Sequence, residues 1–294
     1  MISIIIRTLN EEKYLSELLQ AIDNQNINDE VEKVIIDSGS TDQTLEIAKK
    51  FNCNITYIDK QDFTFGKSLN DGCSFSKGDI LVFISGHCVP KNSDWLINLI
   101  KPIKEEGVDY IYGRQIGRDT TKFSENIIFK KYFPNHNNPN NIDYFCNNAN
   151  SAIKRNVWNK YQFNEELTGL EDMELAKRIF SDGLKISYSH KSTVFHIHNE
   201  NSKQIKNRYE REAIALKEIE PDIKMSKTDF FRYFLAAIFL DFSHAIESKV
   251  IFKEFFSIIK FRFLQYLGSY SGTNKSSLNL KELDKYKHKY FYPK

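Results

Sequence analysis

The chain has 294 residues, 41% hydrophobic and 27% charged, a balance that excludes a disordered polymer and leaves material for a core in one or two domains. Lys and Arg number 41 against 39 Asp and Glu, a net charge of +2, so a general nucleic-acid binder with its strong basic excess is not expected. Cys53, Cys73, Cys88 and Cys146 form no C-x-x-C pair and read as reduced thiols of a cytosolic protein, and no apolar run follows a basic opening to suggest a secretory signal.

Residues 2–7 are an apolar run of strand length, and residues 12–24 carry Leu15, Leu18, Leu19 and Ile22 at helical spacing. Val34, Ile35 and Ile36 predict a second buried strand, and residues 41–50 repeat the helical pattern with Leu45, Ile47 and Ala48. Residues 55–58 predict a third strand, 67–76 a helix ending at Gly78, and 80–84 a fourth strand. Short apolar strands separated by helices predict a parallel sheet covered on both faces, with ligands outside the carboxyl ends of its strands. Further on, 95–106 predict a helix that Pro102 interrupts, 110–114 a strand, and 149–154 a strand on the sheet's far side. Residues 172–181 predict a helix closed by Gly183, and 185–188 and 193–196 two short strands. From Ser202 to about Tyr270 the pattern is helical. The expected class is α/β, a mostly parallel sheet with flanking helices over residues 1–200 and a helical extension over 201–294.

The polar residues after each strand are the candidates for chemistry. No G-x-G-x-x-G follows the first strand, so a dinucleotide fingerprint is absent. Glu11 and Asp37 stand at strand ends, where a carboxylate can accept from a ribose hydroxyl or a base N–H, while Thr41 and Asp42 suit a helix cap. Glu171 and Asp172 open a helix, a position the dipole favours for carboxylates. His196 and His198 share a face if their segment is a strand; a loop there would free only one. Trp95 suits either stacking on a sugar or anchoring its helix, and the Asn-rich stretch 135–141 suits a lid or acceptor rim. Residues 230–246 are interrupted by Arg232 and Asp241 and fall short of the ~20 apolar residues a membrane span needs. Residues 250–266 mix Phe252, Phe255, Phe256 and Phe263 with Lys253, Lys260 and Arg262. These helices suit packing on the first domain or on another subunit of a homo-oligomer, or an interfacial contact with anionic lipid.

The stretch Ile5-Ile6-Arg7-Thr8-Leu9-Asn10-Glu11-Glu12, then Val34 through Asp42, then Gly66-Lys67-Ser68-Leu69-Asn70, resembles the nucleotide-sugar half of family 2 glycosyltransferases. The resemblance runs through residues 81–90, 94–96, 112–115, 148–152, 169–172, 195–199 and 265–272, essentially end to end, and in that combination is similar to the bacterial rhamnosyltransferase-like branch. It implies the GT-A (Rossmann-like) fold and transfer of a sugar with inversion from a nucleotide donor to a surface glycan such as capsule or O-antigen. The acceptor implied is an oligosaccharide or lipid-linked glycan, and the location the cytoplasm, at the inner face of the membrane. By that resemblance Thr8, Asn10, Glu11 and Asp37 hold the base and ribose, with Lys67 and Asn70 near the same pocket. Arg114, Asn148 and Asn150, with Trp95, line the region between donor and acceptor. Glu171 and Asp172 are the catalytic pair, Asp172 being the base that takes the acceptor's proton.

The family's metal-binding Asp-X-Asp is replaced by Ser85-Gly86-His87. Mg²⁺ prefers oxygen ligands and imidazole suits transition metals, so three readings stand. In one, His87 ligates Mn²⁺ or a similar ion with His196 or His198. In another, no metal binds and protonated His, Lys67 and Arg114 offset the diphosphate. In the last, the site only binds. Two rival functions remain, a sugar nucleotidyltransferase and a non-catalytic glycan-binding or assembly subunit that kept the fold.

Overall fold

The computed structural model describes residues 1–137 and 144–275. Part of the predicted Asn-rich lid, residues 138–141, lies outside the described residues. The elements run β1 (Ile2–Thr8), α1 (Glu12–Asp23), β2 (Val31–Asp37), α2 (Thr44–Lys50), β3 (Asn54–Tyr57), α3 (Phe65–Phe75), β4 (Ile80–Ser85) and β5 (Cys88–Pro90). They continue with α4 (Trp95–Glu105), β6 (Tyr110–Ile116), α5 (Phe123–Tyr132), β7 (Asn150–Lys154), α6 (Arg155–Tyr161), α7 (Glu171–Ser181) and β8 (Ile186–His196). The last three are α8 (Ser202–Ile219), α9 (Lys227–Glu247) and α10 (Ile251–Thr273). The chain forms two compact units, one of residues 1–119, 129–166 and 171–197, the other of 120–128, 167–170 and the residues from 198 on.

The first unit is built on one eight-stranded sheet in the order β3-β2-β1-β4-β7-β6-β8-β5. β1, β2, β3 and β4 are parallel neighbours, and their runs Ile4, Ile6, Ile35, Val82 and Ile84 are buried with Leu15, Leu18 and Leu19 of α1 and Trp95, Leu96 and Leu99 of α4. Apolar side chains on both faces of these strands explain why their sequence reads as unbroken hydrophobic runs. β7 is not at the far side of the sheet as predicted. It lies inside, antiparallel to β4 and β6, with Ala152 paired to Val82 on one side and Ile111 on the other. The two predicted strands 185–188 and 193–196 are one strand, β8, parallel to β6 with an irregularity at Gly113/Arg114.

Pro102 does not interrupt α4. A proline withholds the N–H that would bond the carbonyl four residues back. That carbonyl, Asn98 O, accepts instead from Ser189 Oγ at 3.0 Å.

The second unit contains α8, α9 and α10. Gly268 and Gly272, four residues apart on α10, face the carbonyls of Lys206 and Glu210 on α8, and a Cβ at either would collide with backbone. Asp241 and Arg262, the charges that break the apolar runs, form a buried bidentate pair between α9 and α10 at 2.6 and 2.7 Å. Among the described residues, no helix is long and apolar enough to cross a membrane.

Candidate active site

The parallel strands β1, β2 and β4 end together, so the loops after them share one edge of the sheet. Asp37, at the end of β2, is fully enclosed. Its Oδ1 accepts from the N–H groups of Gly39 and Ser40 at 2.9 and 2.8 Å, and its Oδ2 from Thr8 Oγ1 and Ser40 Oγ at 2.9 and 2.5 Å. A carboxylate has about four acceptor positions, and all are used. In this arrangement Asp37 and Thr8 brace the turn after β2, at the strand ends where the donor is expected. Asn70 is engaged in the same way. Its Nδ2 donates to Phe163 O and Glu165 Oε1, and its Oδ1 accepts from Trp158 Nε1 and Phe163 N, so it clamps the 163–165 loop to α3. Asn10 remains exposed, its Oδ1 tying the loop after β1 to Thr41 N at 2.8 Å, in a left-handed conformation with φ 56°. Lys67 is half-buried in the first turn of α3 and pairs with Asp71 at 3.2 Å.

Past Ser85, which closes β4, Gly86 makes room for the next contact. A Cβ there would lie 2.8 Å from Glu11 Cγ. Without it, Glu11 Oε1 reaches His87 Nδ1 at 3.2 Å. The other nitrogen of His87, Nε2, lies 3.3 Å from His196 Nε2, and His196 Nδ1 meets Gln115 Oε1 at 2.7 Å. The His196 ring is held between the rings of His87 and Phe129, at 5.2 and 5.7 Å. β8 stops at His196, so His198 stands in the segment after the strand, the loop alternative of the sequence reading. His198 belongs to the second unit, where its Nδ1 lies 2.7 Å from Glu125 Oε1; Arg208 Nη2 lies 2.7 Å from that same oxygen.

Gln115 carries the network toward the carboxylates. Its Nε2 donates to Asn147 Oδ1 at 2.9 Å, and the next residue, Asn148, donates its backbone N–H to Asp172 Oδ2 at 2.8 Å. Met173 N donates to Asp172 Oδ1 at 2.8 Å, so each carboxylate oxygen receives a backbone donor. Asp172 is buried, and its pKa is raised to about 7, first by desolvation and then by the charge of Glu171; the two backbone bonds and Arg7 oppose the rise. Glu171 is buried too and is engaged by Arg7 Nη1, from the end of β1, at 3.2 Å. The structure thus brings Glu11, His87 and His196 into one cluster and Glu171 and Asp172 into another, both tied to the residues just after or at the end of β1.

Trp95 and Asn150 do not line this region. Both are fully buried, and Trp95 Nε1 donates to Asn150 Oδ1 at 2.9 Å, while Asn150 Nδ2 donates to Arg114 O and Ser192 O. Their polar atoms are spent inside the sheet. Asn148 Oδ1 accepts from Tyr110 Oη and Ser151 Oγ, and its Nδ2 is buried without a hydrogen-bond partner among the described residues. Arg114 Nη1 donates to Asn135 Oδ1 at 2.7 Å, and its Nε likewise has no such partner. Gln115 and the role of Arg7 escaped the sequence reading. Gln115 has a local signal, as it follows Arg114 in a strand that ends among candidates; Arg7 meets Glu171 across 164 positions and has none.

A mixed sheet with flanking helices, and carboxylates and imidazoles gathered beyond its strand ends, has the GT-A type of fold. The chain belongs to glycosyl transferase family 2, which matches residues 3–162. It is 27% identical over 222 residues to the O-antigen chain rhamnosyltransferase RfbN of Salmonella typhimurium, covering 71% of this chain and 70% of that one. It is 29% identical over 192 residues to the O-antigen chain rhamnosyltransferase WbaN of Salmonella anatum, covering 60% of this chain and 59% of that one, less than two thirds of the relative's length. Its fold is similar to a mannosyltransferase from Pyrobaculum calidifontis solved with GDP-Man and Mn²⁺, with a TM-score of 0.63 and 15% identity over 92% of this chain and 86% of that one.

Proposed function

We propose that the chain transfers a sugar, with inversion, from a nucleotide-sugar donor to a hydroxyl of a bacterial surface glycan, with Asp172 as general base. The observation that carries this reading is the Asp172 carboxylate, buried beside Glu171 yet held by two backbone N–H groups. Each of its oxygens keeps a lone pair beyond the one its backbone donor uses. In its ionised form it takes the acceptor hydroxyl's proton as the new C1–O bond forms, on the face opposite the departing nucleoside diphosphate. Burial raises its basicity, which suits proton abstraction near neutral pH. Thr8, Asn10, Glu11, Asp37, Lys67 and Asn70 are the donor-side candidates, and Arg114 offers its guanidinium to the diphosphate.

The donor set at His87 and His196 fits a divalent ion of the Mn²⁺ type better than Mg²⁺, since two imidazole nitrogens converge there and each ring is oriented through its other nitrogen. Such an ion, when bound, supplies positive charge for the leaving diphosphate. The names of the two Salmonella relatives support rhamnose as the sugar and O-antigen or a similar glycan as the acceptor.

Contact with a membrane is assigned to α9 and α10. Of the fifteen exposed large apolar side chains among the described residues, ten lie on these two helices, Phe252 and Phe256 being 97% and 80% exposed. Lys253 and Lys260 are exposed on the same helix and Lys249 just before it. Lysines interleaved with aromatics suit an anionic lipid surface at the inner face of the cytoplasmic membrane. A thermal-shift screen of UDP-, GDP-, dTDP- and CDP-sugars with and without Mn²⁺ tests the central reading, because a true donor raises apparent stability by mass action. Stabilisation by none of them, in either condition, counts against it.

A further inference from the structure

Arg7 lies at the end of β1, and its side chain is spent on three contacts. Its Nη1 donates to Phe65 O at 3.1 Å and to Glu171 Oε1 at 3.2 Å, and its guanidinium lies 5.1 Å from the Phe65 ring centroid. It therefore joins the end of a central strand to the first turns of α3 and α7. Asp172 is the next residue on α7. We infer that Arg7 is a positioning residue: by fixing Glu171 to the β1–α3 junction and offsetting its charge, it lets the adjacent Asp172 lose its proton and serve as the base. This rests on the proposed role of Asp172.

Two carboxylates side by side in a buried site disfavour double ionisation, and the second proton leaves only when a cation compensates. Arg7 comes from β1. Tyr110 comes from β6 and Cys146 from the segment before β7, and burial pushes both well above their ordinary values, so they stay neutral. Arg7 is thus a cation that acts on both carboxylates. Glu171 has the complementary role of anchoring α7 to β1 and does not itself need to touch substrate.

The purified chain tests this without any ligand. Difference infrared spectra between pH 5 and 9 follow the protonated carboxyl band of Asp172, identified by its loss in Asp172→Asn. Arg7→Met is expected to move the band's midpoint upward by about one pH unit or more, the scale of losing a neighbouring opposite charge. Arg7→Lys holds it near the wild-type value, and the double variant Arg7→Met/Glu171→Gln brings it back down, because the uncompensated charge is gone. A midpoint unmoved in Arg7→Met, with Arg7→Lys folded and equally unmoved, overturns the inference; so does failure of Glu171→Gln to reverse the shift. The role of Asp172 is decided separately by turnover of Asp172→Asn with the donor selected by thermal shift. Retained turnover there rejects the base, whatever the infrared midpoint does.

Discussion

His87 and His196 face each other through their Nε2 atoms at 3.3 Å, while both Nδ1 atoms are turned to acceptor oxygens of Glu11 and Gln115. Gln115 presents its oxygen to the ring because its amide nitrogen donates to Asn147. An imidazole whose Nδ1 donates carries a lone pair on Nε2 when neutral. Two such nitrogens converging at this distance are a donor pair suited to a cation. The two rings are thus oriented to offer their Nε2 atoms to one divalent ion.

Mn²⁺ is expected to raise the melting temperature of the wild-type chain and to do so much less in His87→Ala or His196→Ala. Turnover in strong chelator is the companion measurement. Undiminished activity there, together with no Mn²⁺-induced stabilisation, rejects the metal reading.

Replacing Asp172 by Asn is expected to lower kcat by about 10²–10⁴-fold, the usual worth of a general base, with binding of the nucleoside diphosphate retained. The variant also has a stability signature. The folded chain raises the Asp172 pKa from 3.8 to about 7, so it holds this proton more tightly than the unfolded chain does. That contribution is full below 3.8 and is lost as pH rises through about 7. Melting curves from pH 5 to 8 should therefore fall more steeply for wild type than for Asp172→Asn; parallel curves contradict the assignment.

Glu125, buried in the second unit, has the opposite sign. Burial alone would raise its pKa, but the hydrogen bond and charge of His198 and then Arg208 bring it down from 4.5 to about 2. Its stabilisation is present above 4.5 and is lost as pH falls through about 2. Glu125→Gln is expected to cost about 3 kcal/mol at pH 7, because it leaves Arg208 and His198 short of a buried partner. Urea midpoints of the two proteins should converge as the pH is lowered toward 2.

Vesicles test the helical unit. The chain is expected to float with vesicles containing phosphatidylglycerol and not with neutral ones, with binding weakened by salt. Phe252→Ser/Phe256→Ser should reduce binding at least tenfold, as each buried Phe is worth about 1.5–3 kcal/mol, while leaving the melting temperature unchanged. If the double variant instead dissociates a dimer and leaves vesicle binding intact, the face belongs to a protein contact.

The elements of the parallel half were legible in the chain because both faces of β1, β2 and β4 are covered, which leaves unbroken apolar runs that periodicity detects. Glu171-Asp172 was legible as a helix opening, and the order of motifs identified the family. Periodicity does not encode strand order, so β7 between β4 and β6 was not readable from 149–154. Nor does a strand-end position say which of a side chain's hydrogen-bonding positions the fold itself uses, so the bracing bonds of Asp37 and Asn70 were not readable from the sequence. Residue types and spacing alone determined a strand-end carboxylate chemistry on an α/β sheet. Which groups meet was decided by the tertiary fold, because Arg7 reaches Glu171 across 164 positions and His87 reaches His196 across 109, and contacts closed over such lengths follow from sheet topology and leave no local pattern.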